Sequence, residues 1–115
     1  MKILICGLGS IGRRHAINLL KLKKKKLIFF RERNLNLKQK KLSRIKTFQN
    51  LQKALQEKPK IAFICNPTSK HLDTAIKCAQ KNCHLFIEKP LSNNLSKLDL
   101  LKKIVKKKKL KVMIG

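Results

Sequence analysis

The 115-residue chain is 43% hydrophobic, enough for one core in one domain spanning 1–115 and unlike a disordered chain. Thirty Lys and Arg against five Asp and Glu give a formal charge of +25, which taken alone points to nucleic acid or an anionic membrane. Only five of the thirty are arginines, Trp and Tyr are absent, and no motif interleaves aromatics with basic residues, so the charge reads as a solvated lysine surface with no specific nucleic-acid partner.

The apolar run Ile3-Leu4-Ile5-Cys6 predicts a strand over 2–6 that leads straight into Gly7-Leu8-Gly9-Ser10-Ile11-Gly12. A G-x-G-x-x-G string is a weak signal alone, but between a strand and a helix it has a mechanism. Gly7 can take the tight turn, Gly9 lets the backbone approach a pyrophosphate, and Gly12 lets the helix pack close on the strand. The helix beginning near Ser10 aims its unpaired N–H groups and positive dipole end at the phosphates. Gly7, Leu8, Gly9, Ser10, Ile11 and Gly12 are therefore the candidate dinucleotide-phosphate residues.

That helix is expected over 11–22, with Ile11, His15, Leu19 and Leu22 as one stripe and Gly12, Ala16 and Leu20 as its neighbour. Lys23 to Lys26 form a turn, and Leu27-Ile28-Phe29-Phe30 reads as a strand buried on both faces. The polar stretch 32–44 is expected as a loop over the adenosine side, followed by a short edge strand over 45–48. Asn50 is the expected N-cap of a helix that stops before Pro59. A strand over 61–65 leads into the turn Asn66-Pro67-Thr68, with Thr68 or Ser69 capping a helix that runs to about 81. Asn82 suits the left-handed position after that helix. A strand over 84–88, a helix capped by Asn94 or Ser96, and a strand over 110–114 complete the pattern.

Strands alternating with right-handed crossovers predict an α/β fold: a Rossmann doubly wound parallel sheet of order 3-2-1-4-5-6. Its ligand would lie across the carboxyl ends of strands one and four. Cys6, Cys65, Cys78 and Cys83 show no C-x-x-C or His-partnered spacing, so reduced, mostly buried thiols are expected and no metal site. His15 and His84 have no ligand set near them in sequence and read as core-edge or surface residues. No targeting or membrane segment is visible, which implies a cytoplasmic protein with no membrane partner.

Three motifs together, Gly7 through His15, Asn66-Pro67-Thr68-Ser69-Lys70-His71 and Glu88-Lys89-Pro90-Leu91, closely resemble the N-terminal domain of the glucose-fructose oxidoreductase and inositol dehydrogenase family, Gfo/Idh/MocA. The resemblance covers essentially the whole chain, and Glu88-Lys89-Pro90 is its most specific element. It implies an NAD- or NADP-dependent oxidoreductase that moves hydride between nicotinamide and a sugar, cyclitol or related alcohol. Lys89 would then contact substrate and polarise the reacting oxygen as the catalytic residue, with Glu88 and Pro90 beside the cofactor. Asn66, Pro67 and His71 would line the nicotinamide ribose side, while His71 could equally be a residue that packs or caps the helix start. The peptide bond before Pro90 could be cis.

An NAD site usually offers an acid about 20 residues after the glycines. Here Arg31 holds that place, which fits a 2′-phosphate and favours NADP, although Glu32 could turn toward the ribose. The resemblance further implies a second α/β domain carrying a catalytic Asp and His beyond residue 115. The chain alone is then expected to bind cofactor without turnover, its exposed apolar surface meeting that domain or a second copy in a homo-oligomer. Two other classes compete: a non-catalytic dinucleotide-sensing module, against which Lys89 argues, and a small basic nucleic-acid-binding protein.

Overall fold

The computed structural model describes residues 1–22, 26–32, 40–91 and 94–115. Its parallel strands are β1 (Lys2–Cys6), β2 (Lys26–Phe30), β3 (Thr47–Phe48), β4 (Ile61–Ile64), β5 (His84–Ile87) and β6 (Val112–Ile114). They form one sheet in the order β3-β2-β1-β4-β5-β6, the doubly wound order expected from the alternating pattern. The helices are α1 (Ser10–Leu20), α2 (Lys40–Ser43), α3 (Leu51–Gln56), α4 (His71–Gln80) and α5 (Leu95–Lys108).

β1 is central because all four of its apolar residues, Ile3 to Cys6, are buried, so neither face could be left to water. Alternation divides them. Leu4 and Cys6 join Ile28, Ala62 and Ile64 under α3, α4 and α5, while Ile3 and Ile5 join Leu27, Phe29 and Ala16 under α1. The register Leu4↔Ala62 and Cys6↔Ile64 brings the ends of β1 and β4 level, and the turns that follow them are therefore neighbours. At the far edge β6 is exposed, with Met113 64% accessible.

Local chemistry sets the helix ends. The Asn50 side chain accepts from the Lys53 amide at 3.0 Å and caps α3; Asn94 accepts from the Lys97 amide at 3.1 Å and caps α5. The Ser96 hydroxyl donates to the Asn94 side chain, so Asn94 is the cap of the two candidates. α4 closes with Asn82 at φ 68. The Asn82 amide donates to the Ala79 carbonyl at 2.9 Å and the Cys83 amide to the Cys78 carbonyl at 3.1 Å, a Schellman motif whose apolar contact falls to two buried thiols, Cys78 and Cys83.

Several expectations need correction. Neither Thr68 nor Ser69 caps α4. A 3-10 turn, Thr68–Lys70, leads into it, and the Lys70 residue before α4 makes no side-chain cap bond. Backbone bonding does that work instead, the Lys70 amide donating to the Pro67 carbonyl at 2.8 Å. On α1 only Gly12 and Ala16 are buried; Ile11 and Leu22 are exposed, because Ile11 sits on the first turn above the open glycine bend and Leu22 lies past the helix end. The stretch 32–44 is not all loop, since α2 buries Leu42 completely against the α1 side of the sheet. The rest of that loop, 33–39, and 23–25 of the lysine turn lie outside the described residues.

Candidate functional site

The two outer glycines of the bend are steric requirements of the fold. Gly7 has φ +92, and a Cβ there would lie 2.6 Å from the Asn66 backbone nitrogen. At Gly12 a Cβ would fall 2.0 Å from the Gly7 carbonyl oxygen. Gly9 differs, for a Cβ there would meet nothing within 4 Å. The space above Gly9 is the mouth of the crevice, and the first amides of α1 face it with no side-chain cap at Gly9, leaving donors for an anion.

Two cavities meet at this bend. One, of about 480 Å³, runs from Gly7–Gly9 and Asn66-Pro67 toward Phe30, Arg31, Glu32 and Lys70. The other, of about 410 Å³, shares those walls and runs toward Cys65, His71, Glu88 and Lys89. A larger cavity of about 860 Å³ lies at the opposite end of the sheet, near Pro59 and His84. It faces the amino ends of the strands, whereas ligands of open α/β sheets bind at the carboxyl ends, so the adjoining pair is the candidate site.

The structure brings all of the sequence-derived site residues to this edge. Ser10 begins α1, and Leu8 is buried beneath the bend. Asn66 donates through Nδ2 to the Thr74 hydroxyl at 2.8 Å, and its carbonyl accepts from His71 Nε2. His71 is buried and so braces the turn after β4. Among the described residues Asn66 Oδ1 and His71 Nδ1 are buried without a partner, and both residues wall the second cavity. Such orphaned acceptors beside open space suit a ligand that brings hydroxyl groups. Together with the space over Gly9 and the uncapped amides, they fit a nicotinamide dinucleotide.

Glu88 follows β5 with its amide donating to the Ile64 carbonyl at 3.1 Å. The Lys89 amide donates to the Gly115 carbonyl at 2.9 Å, its side chain is exposed on the rim, and the Lys89–Pro90 bond is cis. Cys65 faces the same cavity, but burial first and the Glu88 carboxylate second push its thiol up to about 12. It is protonated at neutral pH and is no nucleophile.

One member of the site was missed in the sequence. His15 is neither isolated nor merely core-edge: its Nε2 lies 2.6 Å from Glu88 Oε1, and its ring packs 5.1 Å from Phe63 and 5.2 Å from Phe86. The contact spans 73 residues, so no local pattern could reveal it. His84 behaves as read, its Nδ1 accepting from the Lys111 amide at 3.0 Å.

A family model for an oxidoreductase family with an NAD-binding Rossmann fold, GFO_IDH_MocA, matches residues 1–115. The chain belongs to this family. Its Gfo/Idh/MocA membership agrees with the resemblance carried by the glycine bend, the Asn66 turn and Glu88-Lys89-Pro90. Myo-inositol 2-dehydrogenase of Thermotoga maritima is 33% identical over 113 residues, covering 93% of this chain and 33% of the relative. A solved structure of a probable dehydrogenase from Thermotoga maritima superposes with a TM-score of 0.87 at 29% identity, over 100% of this chain and 36% of that one. Scyllo-inositol dehydrogenase from Lactobacillus casei, solved with NAD(H) and scyllo-inositol, superposes with a TM-score of 0.85 at 26% identity over the same shares. The chain thus spans about a third of the length of these Gfo/Idh/MocA relatives. Among the described residues no helix is long and apolar enough to cross a membrane.

Proposed function

We propose that this chain is the dinucleotide-binding part of an oxidoreductase acting on a sugar, cyclitol or related alcohol, with NADP preferred over NAD. The observation that carries the reading is the pair of cavities sharing Gly7–Gly9 and Asn66-Pro67, one ending at Arg31 and the other at Lys89. A dinucleotide has that shape: a diphosphate between two nucleosides. The diphosphate would rest over Gly9 and the first amides of α1, from Ser10 to Gly12. Arg31 would meet the adenosine ribose, where a guanidinium suits a 2′-phosphate.

At the other end, when bound, the nicotinamide supplies a carbon that takes hydride from an alcohol carbon. Lys89 would hold the reacting oxygen by its ammonium and, in the direction of carbonyl reduction, give that oxygen its proton from Nζ. Glu88, braced by His15, fixes the strand end from which Lys89 projects, while Asn66, Pro67 and His71 would line the ribose beside it. The inositol substrates named for two relatives support a polyol as substrate class.

Fluorescence titration of the chain with NADPH and NADH at one stated salt tests the reading. Saturable binding of both, tighter for NADPH, is expected. Tighter NADH binding would overturn the preference alone, and absence of any saturable binding would overturn the dinucleotide site.

A further inference from the structure

We propose that Lys70 helps set the choice of dinucleotide by holding Glu32. The inference deepens the dinucleotide reading above and rests on it. Lys70 Nζ pairs with the Glu32 carboxylate across 38 residues. Glu32 follows β2 and Lys70 belongs to the turn after β4. In the sheet order those strands flank β1, so the pair reaches over the glycine bend. Both residues line the cavity that ends at Arg31.

Glu32 is the acid nearest the strand-end position from which a carboxylate would accept from a ribose 2′-OH. With Lys70 on it, that carboxylate is occupied and its charge is countered. A ribose 2′-OH can recruit Glu32 only by displacing Lys70. A 2′-phosphate, carrying about −1.5 to −2 charges, meets instead a cavity wall where Arg31 and Lys70 outweigh one carboxylate. The lysine is therefore doubly placed: it masks the group that would favour NAD and offers a second cation to NADP. Side-chain exposures of 47% for Lys70 and 54% for Glu32 leave both free to move when ligand arrives, and they make the effect sensitive to salt.

The test is a set of dissociation constants for NADPH and NADH, measured on the unsubstituted chain, Lys70→Met, Glu32→Gln and the double variant at one low salt concentration. Lys70→Met is expected to lower the preference for NADPH over NADH by about tenfold, with Lys70→Arg restoring most of it. In the Glu32→Gln background the part of the Lys70 effect that acts on NADH should vanish. Both positions are surface-exposed, and circular dichroism with a thermal melt confirms that each variant folds. A preference unchanged within about twofold in Lys70→Met, or a Lys70 effect on NADH that persists undiminished in Glu32→Gln, overturns the inference while the dinucleotide site stands. If neither nucleotide saturates the unsubstituted chain, the dinucleotide reading falls and this inference with it.

Discussion

His15 Nε2 lies 2.6 Å from Glu88 Oε1, so the helix that starts at the glycine bend is tied to the residue immediately before Lys89. Both side chains are mostly shielded, at 24% and 16% exposure, and the imidazole also packs against Phe63 and Phe86. Removing it loses a half-buried hydrogen bond and two ring contacts. His15→Ala is expected to cost about 1–3 kcal/mol of folding stability, read by urea denaturation. Glu88→Gln, which keeps an acceptor in place, should cost less than His15→Ala. A loss under about 0.5 kcal/mol for His15→Ala, the range of an ordinary surface change, would show that the contact holds nothing together.

The three glycines of the bend separate folding from binding. At Gly7 and Gly12 a methyl group would collide with backbone at 2.6 and 2.0 Å, and Gly7 also needs its positive φ. Gly7→Ala and Gly12→Ala should each destabilise the chain by about 2–4 kcal/mol. Gly9→Ala meets nothing within 4 Å, so its melting temperature should stay near that of the parent while NADPH binding weakens at least about tenfold, the methyl occupying the phosphate's space. Unchanged NADPH affinity in a folded Gly9→Ala chain would show that the diphosphate does not rest there.

Most of the sheet was legible because its signals are local. Four consecutive buried residues mark β1, Leu27 to Phe30 mark β2, and Asn50 and Asn82 carry turn chemistry that acts within a few positions. The glycine bend was legible for the same reason. What could not be read depends on contacts between distant elements: His15 with Glu88, Lys70 with Glu32, and Leu42 of α2 packing against the α1 side of the sheet. The α1 stripe went wrong where periodicity assumed that every apolar residue faces a neighbour, whereas Ile11 borders open space. Thr68 and Ser69 looked like caps because their chemistry suits one, yet the 3-10 turn satisfied the backbone first.

Thiol reactivity gives a third expectation. Cys6, Cys78 and Cys83 are buried, and burial with the Glu88 charge holds the Cys65 thiol at about 12 against an ordinary 9.0. At pH 8 the thiolate fraction of Cys65 is then about a thousandfold below that of a free cysteine. Iodoacetamide should label the native chain very slowly at all four positions and react with all four after guanidinium unfolding. The raised folded value favours the native state fully below the ordinary thiol range, and that contribution is lost as pH climbs toward 12, so stability should fall across the alkaline range. Rapid native labelling of Cys65 at pH 8 would contradict its environment.

Charge sets the last expectation. Four of the five carboxylates are already engaged, Glu32 with Lys70, Glu57 with Lys2 and Lys46, Asp73 with Lys97 and Glu88 with His15. The net +25 that remains after all five carboxylates are counted has nothing to offset it and repels itself across a body measuring 40 × 26 × 24 Å. At about 0.01 M salt the screening length of about 30 Å reaches across most of the molecule, whereas at about 1 M it is about 3 Å. Salt also weakens the ion pairs, but exposed pairs are worth at most about 1 kcal/mol each, and the unpaired lysines outnumber them. Sodium chloride should therefore stabilise the chain, raising its melting temperature by about 4–8 °C between those limits, equivalent to about 1 kcal/mol. A melting temperature that falls with added salt would mean that the few ion pairs outweigh the collective repulsion.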